Sequence, residues 1–440
     1  MRSNGDWFID MFTGELDKLL ARLKEGEARL SVEIPLDWWV PRIPGAAERP
    51  TLVAIDGGGG FEPLVGGSAL YVARAMGIFN PEGDPVKLID VKLLPVRDSR
   101  VLDALRSIVE HRTALRALER LRDAGENPVV LMDGSYRATV SAAVTAIKRA
   151  AYGYVNLSSL YTGLFSLELL VIMSRLFSAA VENGVAIAYV SKDASYRSFK
   201  ETVLLSLLAE RAEAEGLHEL SMLASEAARV YPLKTRREEL LAWRRRAPPT
   251  IRPLIDMVLD IGYKDVMFIE DFTGESVGHT LALELGLGGL YGADIEPAVE
   301  RMCDRVEEYI GGPEAENCRG LALDAVRAYQ MLPATRMVYV KLEPSGEPLL
   351  VETLGASRLV SDSRSLKPLN DQEEYLLRVL VAGYAGPRFY NTWLVAAHEA
   401  AALRGEQLML YAKIFDAFAH MRGVRLRLAR RTRVGVTGLD

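Results

Sequence analysis

Residues 51–60 read TLVAIDGGGG and residues 129–135 read VVLMDGS, and the fold turns on these two stretches. Each is an apolar run that closes on an aspartate followed by glycine, the pattern of a short buried strand. After the first, GGSALYVARAMGIF and VKLIDVKLLPV follow within residues 66–96. Glycine and proline turns join these β-rich runs, with no segment of helical length between them, so the chain opens on three antiparallel strands. Residues 100–124 carry helical periodicity and lead to VVLMDGS. Helical stretches at 138–182 and 197–246 then flank GVAIAYVSKD at 184–193, another strand. The resulting order, β-β-β-α-β-α-β-α, is the ribonuclease H-like arrangement, whereas a dinucleotide fold would begin βαβ. The fold class expected is therefore α/β, a ribonuclease H-like mixed sheet with helical insertions at about 138–182 and 197–250.

Further along, DVMFIED (265–271), RMVYVKLE (336–343) and EPLLVET (347–353) read as strands, and 296–310, 371–382 and 391–404 as helices. Upstream, apolar residues at helical spacing over 7–24, ended by the proline-rich 35–50, make residues 1–45 a helical arm preceding a core domain at 46–440. Segment 271–320 matches no motif, and no internal repeat is present.

Composition narrows the function. Hydrophobic residues make up 49% of the 440 and charged residues 25%, so a large core can be buried. Fifty-three Lys and Arg against 59 Asp and Glu leave a net charge of −6, too acidic for a global field that attracts polyanions. A polyanion partner must then be held by a local patch or through metal ions. Two cysteines, Cys303 and Cys318, exclude a zinc cluster and a disulfide scaffold; two free thiols are the preferred reading, with one disulfide left open. No stretch reads as a signal peptide or a membrane span, and the chain is expected to be cytoplasmic.

Asp56 follows an uncharged strand and precedes Gly57 to Gly60, where backbone can approach a ligand closely. The four glycines could instead form a phosphate nest, although neither common glycine-rich nucleotide motif is present. Asp133 repeats the grammar of Asp56. If their strands are neighbours, both aspartates emerge at one edge, and carboxylates that close repel unless a cation lies between them. The helix between them offers Glu110 or Glu119, nine residues apart and so on roughly opposite faces. Glu110, set among Val101, Leu102, Leu105, Ile108 and Val109, is preferred as the inward acid. Glu119, among Arg116, Arg120 and Arg122, reads as an exposed ion pair.

The set LVAIDGG, a helical glutamate, VVLMDGS, AYVSKD and Tyr390-x7-His398 (YNTWLVAAH) resembles NurA, the archaeal nuclease family that works with the HerA helicase in DNA end resection. The resemblance runs from about Thr51 to about Glu406. It implies a manganese-dependent site, magnesium being possible, a homodimer, and a HerA-like hexameric ATPase as partner. It also implies 5′ to 3′ exonuclease activity on single- and double-stranded DNA with endonuclease activity on single strands. Carried over by position, Asp56, Glu110 and Asp133 are the acids, and Tyr390 and His398 the C-terminal pair. Where the family usually reads Tyr-Pro-x-Pro-Leu, Asn391 and Trp393 stand here.

The chemistry of these side chains agrees with the resemblance. Phosphodiester hydrolysis needs a deprotonated water and neutralised charge, and a hard oxygen set of Asp56, Glu110 and Asp133 suits magnesium or manganese. His398 would bind manganese or move protons, Tyr390 would position a phosphate or stack on a base, and Lys192 would contact the scissile phosphate. His111, His218, His279 and His420 show no ligand spacing. The arginines at 244–246 read as a solvated face. The basic run at 421–435 is either a solvated edge strand or a surface for DNA or an acidic partner. Two alternatives stay open: a ribonuclease H-like phosphoryl-transfer ATPase, and an inactive scaffold for a motor ATPase.

Overall fold

The computed structural model describes residues 9, 12–13, 16, 32–122, 125–192, 194–233 and 236–424. The helical arm expected at 7–24 lies outside these residues except for Ile9, Phe12, Thr13 and Leu16, which are helical. The basic run beyond Val424 also lies outside them.

The opening strands form as read: β2 (Leu52–Pro63), β3 (Ala69–Asn80) and β4 (Val86–Leu94) pair antiparallel in sequence. Helix α1 (Ser99–Leu121) crosses to β5 (Val129–Asp133), which lies parallel to β2, and β6 (Ala186–Ser191) lies parallel to β5. The order β4-β3-β2-β5-β6 is that of a ribonuclease H-like sheet. It continues antiparallel through β10 (Leu349–Arg358) and β9 (Pro333–Lys341) to β7 (Gly278–Thr280) and β1 (Trp39–Val40). Strands β8 (Ala282–Leu285) and β11 (Arg364–Lys367) branch from β9.

The stretch expected as one helical block at 138–182 is two helices, α2 (Tyr136–Tyr152) and α3 (Leu157–Glu182), broken where Gly153 ends the first and the Asn156 side chain caps the second. Helix α3 is apolar and long enough to cross a membrane by length and composition. It packs inside the fold, against α1, α2 and α11 (Gly312–Met331). Helix α10 (Glu296–Tyr309) pairs with α11, and Cys303 is disulfide-bonded to Cys318 across them. The preferred reading of two free thiols is therefore corrected: two helices joined by a short turn bring the two buried positions within 5.6 Å, Cα to Cα.

The chain forms two compact units. One holds the sheet: Trp39–Ala194, Arg229–Pro232 and Glu275–Asp440. The other comprises Met1–Trp38, Ser195–Ala228 and Leu233–Gly274, with α4 (Ser198–Ala214), α5 (His218–Arg229), α6 (Arg237–Arg246), α7 (Arg252–Leu259) and α8 (Asp265–Thr273) as its main helices. DVMFIED, expected as a strand, is α8. A run of four apolar residues cannot separate the two states, but Asp265, Phe268, Ile269 and Thr273 bury at helical spacing. The Asp265 carboxylate also accepts from the backbone of Phe199 and Lys200 at the start of α4.

Both faces of the sheet are covered. Leu52, Ala54, Val129, Leu131, Ala188 and Val190 share a core with Leu376, Leu380, Tyr390, Leu394 and Ala397, carried by α12 (Asp371–Gly383), α13 (Thr392–Ala401) and the turn between them. On the other face lie α1, α2 and α3. The glycines after Asp56 make no loop and no phosphate nest: β2 runs on through them, paired residue for residue with β3. Their missing side chains admit helices from both sides. A Cβ on Gly57 would stand 2.4 Å from Glu110 Oε1, and one on Gly58 would stand 2.1 Å from the Ala401 carbonyl oxygen. Arg74, opposite Gly58 on β3, donates to the carbonyls of Ala401 and Ala402 and so satisfies the C-terminal end of α13.

Because backbone cannot retreat as a side chain can, Gly58→Ala should destabilise the protein by about 1–3 kcal/mol through overpacking. Urea unfolding of the variant against wild type checks this; an unchanged midpoint would show that α13 does not rest on β2 this closely.

Candidate active site

Strand register builds the site. Leu52 pairs with Val129 and Ala54 with Leu131, all facing α12 and α13. One more step of two residues places Asp56 beside Asp133 on that same face. Asp56 is thus mid-strand rather than at a strand end, and it lies where its neighbour β5 stops. Asp56 is 7% exposed and its Oδ1 accepts from the Gly57 backbone N–H.

Helix α13 brings His398 over the pair, its Nδ1 lying 2.6 Å from Asp56 Oδ2. Donor atoms of Asp56, Asp133 and His398 all fall within 4.8 Å of one another, close enough to hold one metal ion. Buried Asn391 caps α13, its side chain accepting from Leu394 N–H, so the residue standing in the place of a proline starts the helix that carries the histidine. Tyr390, buried at the preceding turn, donates its hydroxyl to Asp133 Oδ1 at 2.9 Å. Burial and the neighbouring carboxylate push the Tyr390 phenol far above its ordinary range, so it stays a donor. The Lys192 ammonium lies 4.8 Å from the centre of the Tyr390 ring, at the exposed end of β6.

Glu110 arrives from the opposite face. It turns toward the aspartates over Gly57, where no side chain stands in its way, and lies 3.5 Å from Arg106 one turn earlier. Burial pushes its carboxyl up to about 8; Arg106 opposes this, and Asp56 and Asp133 add to it. Asp133 is also raised, first by burial and then by Asp56, while Tyr390, Lys192 and His398 pull it back. Glu119 is exposed on α1 and borders a surface cavity with Arg116 and Arg120, apart from the aspartates. Asp56, Asp133 and His398 are thus brought close enough to share an ion, Glu110, Tyr390 and Lys192 border them, and Glu119, the alternative glutamate, does not join them.

Some contributors were not singled out in the sequence. Arg106 stands four residues before Glu110, a spacing that signals a helical ion pair. Buried His111, next to Glu110, meets the Ser107 carbonyl through Nδ1 and the Tyr189 hydroxyl through Nε2, which fixes the rotation of α1 against β6. Glu352, buried on β10, accepts from Arg137 N–H at the first turn of α2 and so steadies the turn that follows Asp133. No local pattern marks either residue, because Tyr189 is 78 residues from His111 and Arg137 is 215 from Glu352.

A divalent cation fits this donor set. A carboxylate that raises the proton affinity of its neighbours, as Asp56 does for Asp133 and Glu110, is what an ion of charge two relieves, and oxygen donors with one imidazole suit manganese or magnesium.

A ribonuclease H-like sheet with paired aspartates on its two neighbouring central strands, β2 and β5, defines the class. The NurA domain matches residues 50–403, and the chain belongs to the NurA family. Among solved structures it is similar to the NurA nuclease from Sulfolobus solfataricus, with 13% identity and a TM-score of 0.53 over 94% of this chain and 98% of that one. It is also similar to NurA with manganese (12% identity, TM-score 0.38, 93% and 98% covered). NurA bound to dAMP and manganese gives 15% identity and a TM-score of 0.39, with 94% and 97% covered. Among curated proteins, none matches the chain.

Two measurements check the glutamate. Protonated Glu110 contributes stability that is fully present below its ordinary value near 4.5 and is lost as pH rises through about 8. In EDTA, wild type should lose stability between pH 5 and 9 by more than Glu110→Gln does, as read by chemical denaturation. Equal slopes would show that Glu110 is not held protonated. A divalent cation should bind wild type more tightly as pH rises across the same window.

Proposed function

We propose that this protein is a DNA nuclease that hydrolyses phosphodiesters with a divalent cation, manganese in the first place and magnesium as the alternative. The observation that carries this reading is the convergence of Asp56, Asp133 and His398 on one point, with Glu110 turned toward it. Family membership supports it, and manganese is the ion two of the similar NurA structures hold. In this reading Asp56, Asp133 and His398 hold the cation, and Glu110 completes the oxygen shell as it loses its proton. The bound ion supplies Lewis-acid neutralisation of the phosphate charge. Tyr390 orients Asp133 through its hydroxyl and Lys192 meets the phosphate; the alternative role of His398, in place of ligation, is to take or return a proton.

The finer reading is 5′ to 3′ exonuclease activity on single- and double-stranded DNA, endonuclease activity on single strands, and a place in cytoplasmic double-strand break end resection with a HerA-type hexameric ATPase. Net charge supports the partnership: with −6 overall the protein has little electrostatic hold on DNA, and a ring motor that feeds the strand raises its local concentration. A homodimer is part of the same reading. Edge strand β4 leaves Ile89, Val91 and Leu93 exposed, and α14 (Gly405–Met421) leaves Leu410, Ile414 and Phe418 exposed, apolar surface that a second copy would cover.

With labelled single-stranded DNA, cleavage should require manganese and stop in EDTA. Asp56→Asn and Asp133→Asn should each lower it at least about a hundredfold while the circular dichroism spectrum is unchanged. Glu110→Gln should cost activity and Glu119→Gln should not. Wild-type rates in both aspartate variants would sink the metal-site reading. A HerA-type ATPase should stimulate duplex digestion, and deleting residues 1–30 should reduce that stimulation without touching basal cleavage if the N-terminal arm docks the ring. Equal stimulation would move the docking role elsewhere.

A further inference from the structure

Around the C-terminal end of α2, Lys148, Arg149, Arg301 and Arg305 stand together, and among the described residues none of them is paired with a carboxylate. Arg305 on α10 donates to the carbonyls of Ala150 at 2.8 Å and Gly153 at 2.9 Å, and Arg301 to that of Ala151 at 3.0 Å. Lys148 donates to the Tyr291 carbonyl, and Arg149 is exposed. Carbonyls are neutral, so these cations keep their full charge. The acids close by are engaged elsewhere: Asp304 and Glu307 of α10 by Arg319, and Asp103, which shares a surface cleft with Arg149, by Arg106. Glu296, Glu300 and Glu308, the other acids of α10, pair with none of the four. Capping the end of α2 accounts for Arg301 and Arg305, but not for Arg149 or for the aromatic side chains beside it. Tyr154 is 89% exposed, and exposed Tyr152 has the Arg301 guanidinium 5.5 Å from its ring centre. In a chain of net charge −6, this is the local positive patch that a polyanion requires.

Helix α2 starts at Tyr136, just after Asp133, and its 17 residues run about 25 Å from the candidate metal site to this patch. That distance is about seven base-pair steps, over which double-stranded DNA stays straight. We propose that the end of α2 is a second DNA-binding surface, remote from the metal site, which holds the backbone of double-stranded DNA about seven base pairs from the cut. Arg149, Lys148 and the arginines of α10 meet the phosphates, and the Tyr154 hydroxyl donates to the same backbone. This surface rests on the nuclease reading for where the cut falls, and on charge alone for binding. Contacts to phosphates carry no sequence information, so the hold is the same wherever the enzyme stands on the duplex.

The test titrates the full-length protein with a labelled duplex of about 24 base pairs in EDTA, where no cutting occurs, at salt from about 50 to about 200 mM. Arg149→Gln should bind about fivefold more weakly at about 100 mM salt and lower the slope of log affinity against log salt by about 0.9, the share of one phosphate contact. Arg149→Lys should keep the slope. Adding Tyr154→Ala to Arg149→Gln should weaken binding further at an unchanged slope, because an uncharged contact releases no counterion. With manganese, bis(p-nitrophenyl) phosphate, too small to reach the patch, should be hydrolysed at the wild-type rate by every variant, which shows that fold and metal site are intact. Wild-type affinity and slope in the double variant would overturn the proposal and leave these cations as caps of α2. If that variant bound DNA normally but lost stimulation by a HerA-type ATPase, the patch would belong to an acidic protein surface and not to DNA. An equal loss on the nitrophenyl diester would also overturn it, by placing the effect in the fold or the metal site. Duplex binding that depends on Arg149, in a protein with no metal-dependent cleavage, would sink the nuclease reading and leave the DNA surface standing.

Discussion

Parallel pairing of β2 with β5 is the constraint on which the site depends. It sets Leu52 opposite Val129 and carries the same face on to Asp56 and Asp133. Two carboxylates are thereby forced together, Asp56 buried and Asp133 partly so, and the repulsion between them is an obligation that a cation discharges. A register slip of one residue would turn one aspartate to the opposite face and leave its partner alone. The apolar residues of both strands prevent that slip, because it would expose their core side chains.

Around this pair, close approach of backbone does the rest. The glycine run in β2 is neither a turn nor a phosphate cradle. It is strand whose two faces have been cleared, one for Glu110 and Arg106 on α1, the other for the end of α13. Helix α13 is then held at both ends, by Asn391 at its start and Arg74 at its finish, and this double anchorage fixes where His398 stands. Behind the sheet, His111 with Tyr189 and Glu352 with the first turn of α2 hold the elements that carry Glu110 and Asp133. Buried polar ties thus steady the helix that carries Glu110 and the helix that follows Asp133, which limits how far the site can relax when its charges change.

Much of this was legible in the residues. The start of β2 and all of β5 and β6 announce themselves through uninterrupted apolar runs, since buried strands between helices need apolar residues on both faces, whereas β3, β4 and helix α1 show in strand-like or helical spacing and in the glycine and proline turns. The aspartates stand out because a charge that ends such a run is costly without a partner. Where reading the residues failed, locality was the reason. DVMFIED has the composition of a strand, and only its packing against α4 makes it a helix. The cysteines look like isolated thiols until α10 and α11 fold back on each other.

The residues themselves carry the order of β2 to β6, the ribonuclease H-like class and the two aspartates, and they favour Glu110 over Glu119, through the periodicity of single elements and the turns that join them. Tertiary structure alone decided that Asp56 sits mid-strand beside the end of β5, that Gly57 is the gap through which Glu110 turns, and that Lys192 and Tyr390 wall a cavity next to Asp133. Those facts depend on distances between segments tens to hundreds of residues apart. Such distances are set by sheet register and by how closely helices approach backbone, neither of which leaves a local pattern in the chain.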